Sequence, residues 1–347
     1  MMRNLLSRPG CWVLAVLVVA ALPFLVQGPL RIVAISALIY AMLAASWNLT
    51  LGFGGIFNFA HVGFFGVGGY TMAVTSVSWQ WNPWLSLIAA ALTGGIAGAL
   101  AYLPVVRMRG IYIALITFVF VQLCYYLVLA TPGLTGGSNG LSGVPALRIG
   151  TLSLAATTGQ GYLWLLGASL LALYILLQAV MNSGFGKSLI ALRDNENLAV
   201  SRGMNRIRQQ ILAFILSGSI AGVTGALYVS YFRVADVTLF SFGFVTLGLS
   251  MIFLGGTGHI WGPMLGALVV TLLDRQLTEL GSWRAILIGF GTLVVLIFLP
   301  RGIAGVLVAA RSSLSRRRTR ERTETPNTNN SRGLSPSEKE PEPTTTR

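Results

Sequence analysis

Charge is scarce in this chain: only 10% of its 347 residues are Asp, Glu, Lys or Arg, where an average globular domain has about 25%. Before Arg311 the acids are Asp194, Glu196, Asp236, Asp274 and Glu279, and the whole chain has two histidines, His61 and His259. No HExxH, no carboxylates paired at helical spacing and no Ser-His-Asp order with a nucleophile elbow occur, so the residue sets of hydrolytic and metal-assisted chemistry are missing. A membrane-embedded enzyme would have to assemble its catalytic pair from distant spans. Ion-coupled carriers place acids inside spans, whereas Asp236, Asp274 and Glu279 fall near expected span ends. A self-sufficient ion-coupled carrier is kept as the alternative reading, and the energy for transport is expected from a partner protein. Cysteine is nearly absent too. Cys11 and Cys124 show neither CxxC nor ligand spacing, so they are read as buried fillers, and no metal or cofactor is expected. Gly186-Lys187-Ser188 resembles the end of a phosphate-binding loop, but Met181 stands where that loop needs its first glycine and a membrane helix precedes it, so nucleotide is not bound in that way.

What is abundant is apolar length. The chain is 54% hydrophobic with a mean hydropathy of +0.73, and runs of about 20 apolar residues, enough to cross a hydrocarbon core of about 30 Å, fill nearly everything before Val308. The pattern predicts an all-α, polytopic integral membrane protein. Its single membrane domain covers 1–310, and a basic tail at 311–347, poor in apolar residues, is expected to be disordered. Spans are expected at 12–26, 30–47, 56–77, 84–106, 111–130, 162–181, 211–231, 239–256, 261–277 and 284–299. That makes eight to ten crossings, since 56–77 and 239–258 are candidates for dipping in and returning. The net charge of +14 reads as positive-inside topology rather than nucleic-acid binding. With both termini cytoplasmic, Arg107, Arg109, Lys187, Arg193, Arg202, Arg206, Arg208 and Arg301 share that side. The outer loop at 131–161, rich in Gly, Pro, Asn and Ser, is expected to be ordered.

Two apolar segments are interrupted by glycine. The first, 46–71, carries Gly52, Gly54, Gly55, Gly63, Gly66, Gly68 and Gly69 with Asn48, Asn58 and His61 among them; the second, 241–266, carries Gly255, Gly256, Gly258, Gly262 and Gly266 with His259 and Pro263. Glycine costs about 1 kcal/mol relative to alanine inside a helix, so close packing, a helix break or a polar path explains them better than a plain anchor. Paired broken segments point to an internal repeat around a central path. Residues proposed to line it are Asn58, His61, Phe65, Gly66, Tyr70, Thr71, Thr117, Gly255, Gly256 and His259. Between these segments, 183–210 alternates Phe185, Leu189, Leu192, Leu198 and Val200 with charges, the pattern of an amphipathic helix or helix pair, and Gly203 allows a tight turn back to the membrane.

These blocks carry a resemblance. Asn58-Phe-Ala-His61, Phe64-Phe-Gly66 and Gly69-Tyr-Thr71 resemble the signature of the branched-chain amino acid ABC transporter permeases of the LivM type. Arg109 to Thr117, Thr135 to Pro145, Gly186 to Gly203 and Leu254 to Pro263 are similar to further blocks of that family, in order. The tail is longer and more basic than the resemblance requires, and Trp261 stands where a smaller or polar residue is expected. The resemblance implies an importer half without enzymatic activity, located in a bacterial inner membrane. Its partners would be a second permease of the LivH type, two cytoplasmic ATPases and an extracytoplasmic solute-binding protein. The solute would be leucine, isoleucine, valine or a relative, urea and amides being transported by other members. Gly186, Arg193, Asp194, Asn195, Glu196 and Gly203 would lie in the ATPase-facing segment.

Overall fold

The computed structural model describes residues 26–149, 152–154, 159–277, 280–281, 283–298 and 302–305, with Leu17, Ala21, Pro23 and Phe24 besides. The expected helix at 12–26 falls almost wholly outside the described residues, as do Glu279 and the tail at 311–347. What is described is all-α. Helix α1 (Leu30–Asn48) runs on through a π turn, Leu49–Phe53, and α2 (His61–Ala73) through another, Val74–Ser78. There follow α3 (Pro83–Tyr102), α4 (Ile111–Ala130), α5 (Gln160–Asn182), α6 (Gly184–Asp194), α7 (Glu196–Ser201), α8 (Arg206–Phe232), α9 (Phe242–Gly255), α10 (Gly262–Gln276) and α11 (Trp283–Phe298).

Five helices among the described residues are long and apolar enough to cross a bilayer: Leu30–Phe53, Pro83–Val105, Ile111–Ala130, Gln160–Asn182 and Arg206–Phe232. Helix α3 shows how such a span divides its faces. Leu85, Ile88, Leu92, Ile96 and Leu100 recur every three or four residues and are exposed, a stripe that suits lipid and would be an aggregation patch in water. The chain is a multi-pass membrane protein. The opposite face of α3 carries Ala90, Gly94 and Gly98, which meet Phe214, Gly218 and Gly222 of α8 backbone to backbone; a β-carbon on Gly222 would collide with the Ala90 carbonyl. The same α8 face also receives α2, where a β-carbon on Gly225 would run into the Phe65 carbonyl. Lipid tails are as apolar as any core side chain, so close van der Waals contact of this kind, rather than expulsion of water, holds the three helices together.

At the end of the molecule where α8 finishes, the 131–161 loop is tied down by backbone pairing. Leu141 and Ser142 pair antiparallel with Ala235 and Val234, and Arg148–Ile149 pairs with Leu152–Ser153. The buried Tyr162 hydroxyl accepts from Leu147 N at 3.0 Å and lies 2.8 Å from Ser230 Oγ. These pairings hold the described residues of the loop in place.

One expectation is corrected. The helix expected over 56–77 begins only at His61; residues 55–59 form no regular secondary structure, Gly55 adopts φ +65°, and Ile56 N reaches back to Thr50 O at 2.9 Å. The second glycine-broken segment is interrupted as well: α9 stops at Gly255 and α10 starts at Gly262, with Pro263 in its first turn. Proline has no N–H and a fixed φ, so it is tolerated where a helix starts and not inside one.

Candidate functional site

The two glycine breaks are therefore short connectors, 54–60 and 256–261, each joining a helix that arrives to one that leaves. At about 1.5 Å per residue, the 14 residues of α9 rise about 21 Å, short of a core of about 30 Å. Backbone polar groups kept from water need partners inside the protein, and several in the connectors have them. In the first connector Asn58, fully buried, gives its side-chain amide to Thr50 Oγ1 at 3.0 Å and Ile56 O at 3.2 Å, while its carboxamide oxygen lies 3.2 Å from His61 Nδ1. Trp47 Nε1 donates to Asn58 O at 2.9 Å, and the Trp47 and His61 rings stack, 5.4 Å apart and 5° from parallel. From α4, Thr117 Oγ1 accepts Phe59 N at 3.0 Å.

The second connector is bound to the first. Asn48 donates to His259 O at 3.0 Å and accepts from Gly258 N at 3.3 Å. Both contacts need the Asn48 side chain to reach across at Gly52, where a β-carbon would strike it. Gly256 (φ +100°) makes the turn out of α9, and a β-carbon on Gly255 would meet the backbone of Gly262.

Onto this pair of connectors comes the charged helix pair α6–α7. Arg193 Nη1 donates to Gly52 O at 2.8 Å, and its Nε and Nη2 hold Asp194 Oδ1 at 3.0 and 2.8 Å. The stem of Arg193 lies against Gly55, too close for a β-carbon there. Asn195 caps α7 by accepting Leu198 N at 3.0 Å, and Glu196 sits between Arg109 at 3.0 Å and Arg206 at 3.5 Å. These groups surround a cleft of about 270 Å³ that opens between the first connector and the charged pair. Gly203 takes φ +84° in the turn into α8. Leu189 and Leu192 are buried beneath α6, whereas Leu198 and Val200 are 52% and 47% exposed on α7.

Comparison with known proteins now bears on this arrangement. Residues 30–299 match the family described as branched-chain amino acid transport system / permease component. The chain belongs to this family. It is 26% identical, over 84% of this chain and 74% of theirs, to the high-affinity branched-chain amino acid transport system permease proteins LivM of Salmonella typhimurium and Escherichia coli K12. It is also 26% identical to LivH of Escherichia coli K12, over 77% of this chain and 91% of that protein. No solved structure matches. The match takes in every connector and the whole α6–α7 pair, so this is a membrane permease of the ABC transporter class.

The permease brings some expected site residues together and separates others. Asn58, His61, Thr117, Gly255, Gly256 and His259 gather around the connectors, and Arg193, Asp194, Asn195 and Glu196 around the cleft. Phe65 is buried against Tyr228, and Gly66 against the Phe240 ring. Gly186 packs where α6 turns away from Met181. Tyr70 and Thr71 lie elsewhere, in the wall of a cavity of about 500 Å³ between α2, α3 and α4. Asp274 is ion-paired with Arg284, so the acid an ion-coupled carrier would use has its charge offset. Asn48, Trp47, Gly52, Arg109 and Arg206 belong to the connector and cleft constellation, although the sequence reading left them out of the site. Asn48 and Gly52 carried a signal as members of the first glycine-broken segment, and Arg109 as the start of a block similar to the family. The others depend on which distant segments meet.

Proposed function

We propose that this chain is one permease half of an ABC importer for branched-chain amino acids, Leu, Ile or Val, or a close relative. A solute-binding protein delivers the solute on the outside, a LivH-type permease forms the other half, and two cytoplasmic ATPases bind and hydrolyse ATP. In this reading 183–210 faces the cytoplasm and receives the ATPases. The exposed Leu198 and Val200 supply apolar contact, and Arg109, Arg193 and Glu196 supply charge.

The observation that carries the reading is the Arg193 Nη1 to Gly52 O bond of 2.8 Å. Gly52 ends the arriving helix of the first connector, and Asn48, one turn earlier, holds the second. A displacement of α6 therefore acts on both connectors through one guanidinium. Carbonyl and carboxamide contacts of this sort have discrete partners, which gives the connectors alternative arrangements for alternating access. Asn58, His61, Thr117 and His259 hold the connectors, and Tyr70 and Thr71 stand in the path.

The test is reconstitution. With the second permease, the ATPases and the binding protein in liposomes, leucine should accumulate only when ATP and binding protein are both present. Uptake by this chain alone, driven by a proton or sodium gradient, would overturn the reading. Uptake of urea or an amide in place of leucine would move the solute within the same family.

A further inference from the structure

Helix α11 is fixed to its neighbours at two points. At its start Arg284 pairs with Asp274 of α10, Nε to Oδ1 and Nη2 to Oδ2. About two turns later Thr292 Oγ1 lies 2.7 Å from Ser250 Oγ of α9. Between these points the helices leave a cavity of about 610 Å³, lined by Phe242, Phe244 and Leu247 of α9 and by Ile286 and Ile288 of α11, with the ion pair also in its wall. The pair uses two of the five N–H donors of the guanidinium. Among the described residues the other three, on the Nη1 edge, make no hydrogen bond, and the Arg284 side chain is 39% exposed. The same elements fix the depth of the cavity. Helices α9 and α10 meet at the second connector, and the cavity lies at their opposite ends, beside Phe242 and Asp274. Trp283, exposed next to Arg284, is of the type that collects at a membrane interface. Leu247 and Ile288 lie about 7 Å deeper, at about 1.5 Å per residue.

We propose that this cavity is a site for one membrane phospholipid, with the phosphodiester on the open edge of Arg284 and the upper part of one acyl chain between α9 and α11. Nη1 and Nη2 then donate in parallel to the two unesterified phosphate oxygens, the fork geometry that guanidinium offers and ammonium does not, while Asp274 holds the guanidinium in place. Free phosphate would leave the apolar wall uncovered. An acyl chain without phosphate would leave the Arg284 donors unmatched. The site carries one charge of each sign, so the net charge of the headgroup does not decide; phosphatidylethanolamine and phosphatidylglycerol present the same phosphodiester. The lipid stands in for side chains in the packing of α11 on α9, and α9 leads into the second connector.

The experiment titrates the full-length protein, stripped of lipid in detergent, and counts bound lipid by native mass spectrometry. Phosphatidylethanolamine and phosphatidylglycerol should each occupy one tight site with similar affinity and raise the melting temperature; diacylglycerol, lacking phosphate, and glycerophosphate, lacking chains, should do neither. The double variant Asp274→Asn/Arg284→Gln removes both charges together, so neither is left unpaired, and should weaken phospholipid binding about tenfold. Gly243→Leu fills the slot from α9, where a β-carbon meets nothing nearer than Ser241 Oγ at 3.6 Å. It should abolish the tight site while the lipid-free melting temperature stays near that of the wild type. Diacylglycerol binding as tightly as phospholipid, or wild-type binding by both variants, would overturn the proposal. So would efficient cross-linking of Ile286→Cys to another subunit in membranes, which would make this face a protein interface.

Discussion

Arg193 and Gly52 are joined by a hydrogen bond of 2.8 Å across 141 positions of sequence, and the same guanidinium clasps Asp194 on its other edge. A planar guanidinium spreads five donors over separate edges and can span both partners, whereas the three donors of an ammonium radiate from one nitrogen. Arg193→Lys keeps the charge and loses this fork. It should reduce leucine uptake tenfold or more while ATP hydrolysis continues, with a stability loss of about 1–2 kcal/mol for a bond to a charged donor. The ratio of solute moved to ATP hydrolysed is the measurement, and an unchanged ratio would show that α6 does not act through Gly52.

Asn48 bridges the connectors through Gly258 N and His259 O. Asn48→Leu is close in size and removes both bonds, leaving a buried donor and acceptor unpaired. A loss of about 1–2 kcal/mol follows, at the upper end of what membrane hydrogen bonds contribute. Asn48→Asp should cost more, because its carboxylate would face the His259 carbonyl. Thermal unfolding in detergent should rank wild type above Leu above Asp; the reverse order for the two variants would exclude the bridge.

Glycine at 222 is a steric requirement, since a β-carbon would collide with the Ala90 carbonyl and crowd Gly94. Gly222→Val forces α3 and α8 apart, and overpacking of this kind costs about 1–3 kcal/mol or more. Gly133, with nothing within 4 Å of a β-carbon, is the control: Gly133→Ala should stay within about 0.5 kcal/mol. Size-exclusion profiles and melting temperatures of the two variants check this contrast directly.

Glu196 serves two arginines of unequal burial, Arg109 at 71% side-chain exposure and Arg206 at 16%. Arg109→Gln removes an exposed partner and should alter stability by less than about 1 kcal/mol, an effect that vanishes in high salt. Glu196→Gln leaves the half-buried Arg206 without its counter-charge and should cost more, with less salt dependence. Equal effects of the two substitutions would mean that the Arg206 contact is not formed in the membrane.

Much of this protein could be read directly from residue order. Spans near 84–106, 111–130, 162–181 and 211–231 reappear as α3, α4, α5 and α8 within a few residues, because a bilayer demands about 20 apolar residues in a row and nothing else in the chain competes. The helix pair within 183–210 was legible for a similarly local reason, the alternation of apolar and charged residues. Asn58 and His61 stood out as polar groups set among glycines. Tertiary structure alone decided that the glycines of the chain divide into two tasks. Gly94, Gly218, Gly222 and Gly225 admit backbones to contact, while Gly55 and Gly256 turn the chain between helices. Only the fold, too, brought Asn48 to His259 and Arg193 to Gly52, and left Tyr70 in a cavity away from His61. Helix formation depends on neighbours a few positions apart. A hydrogen bond between positions 52 and 193 depends on how several helices pack, and no local pattern records it.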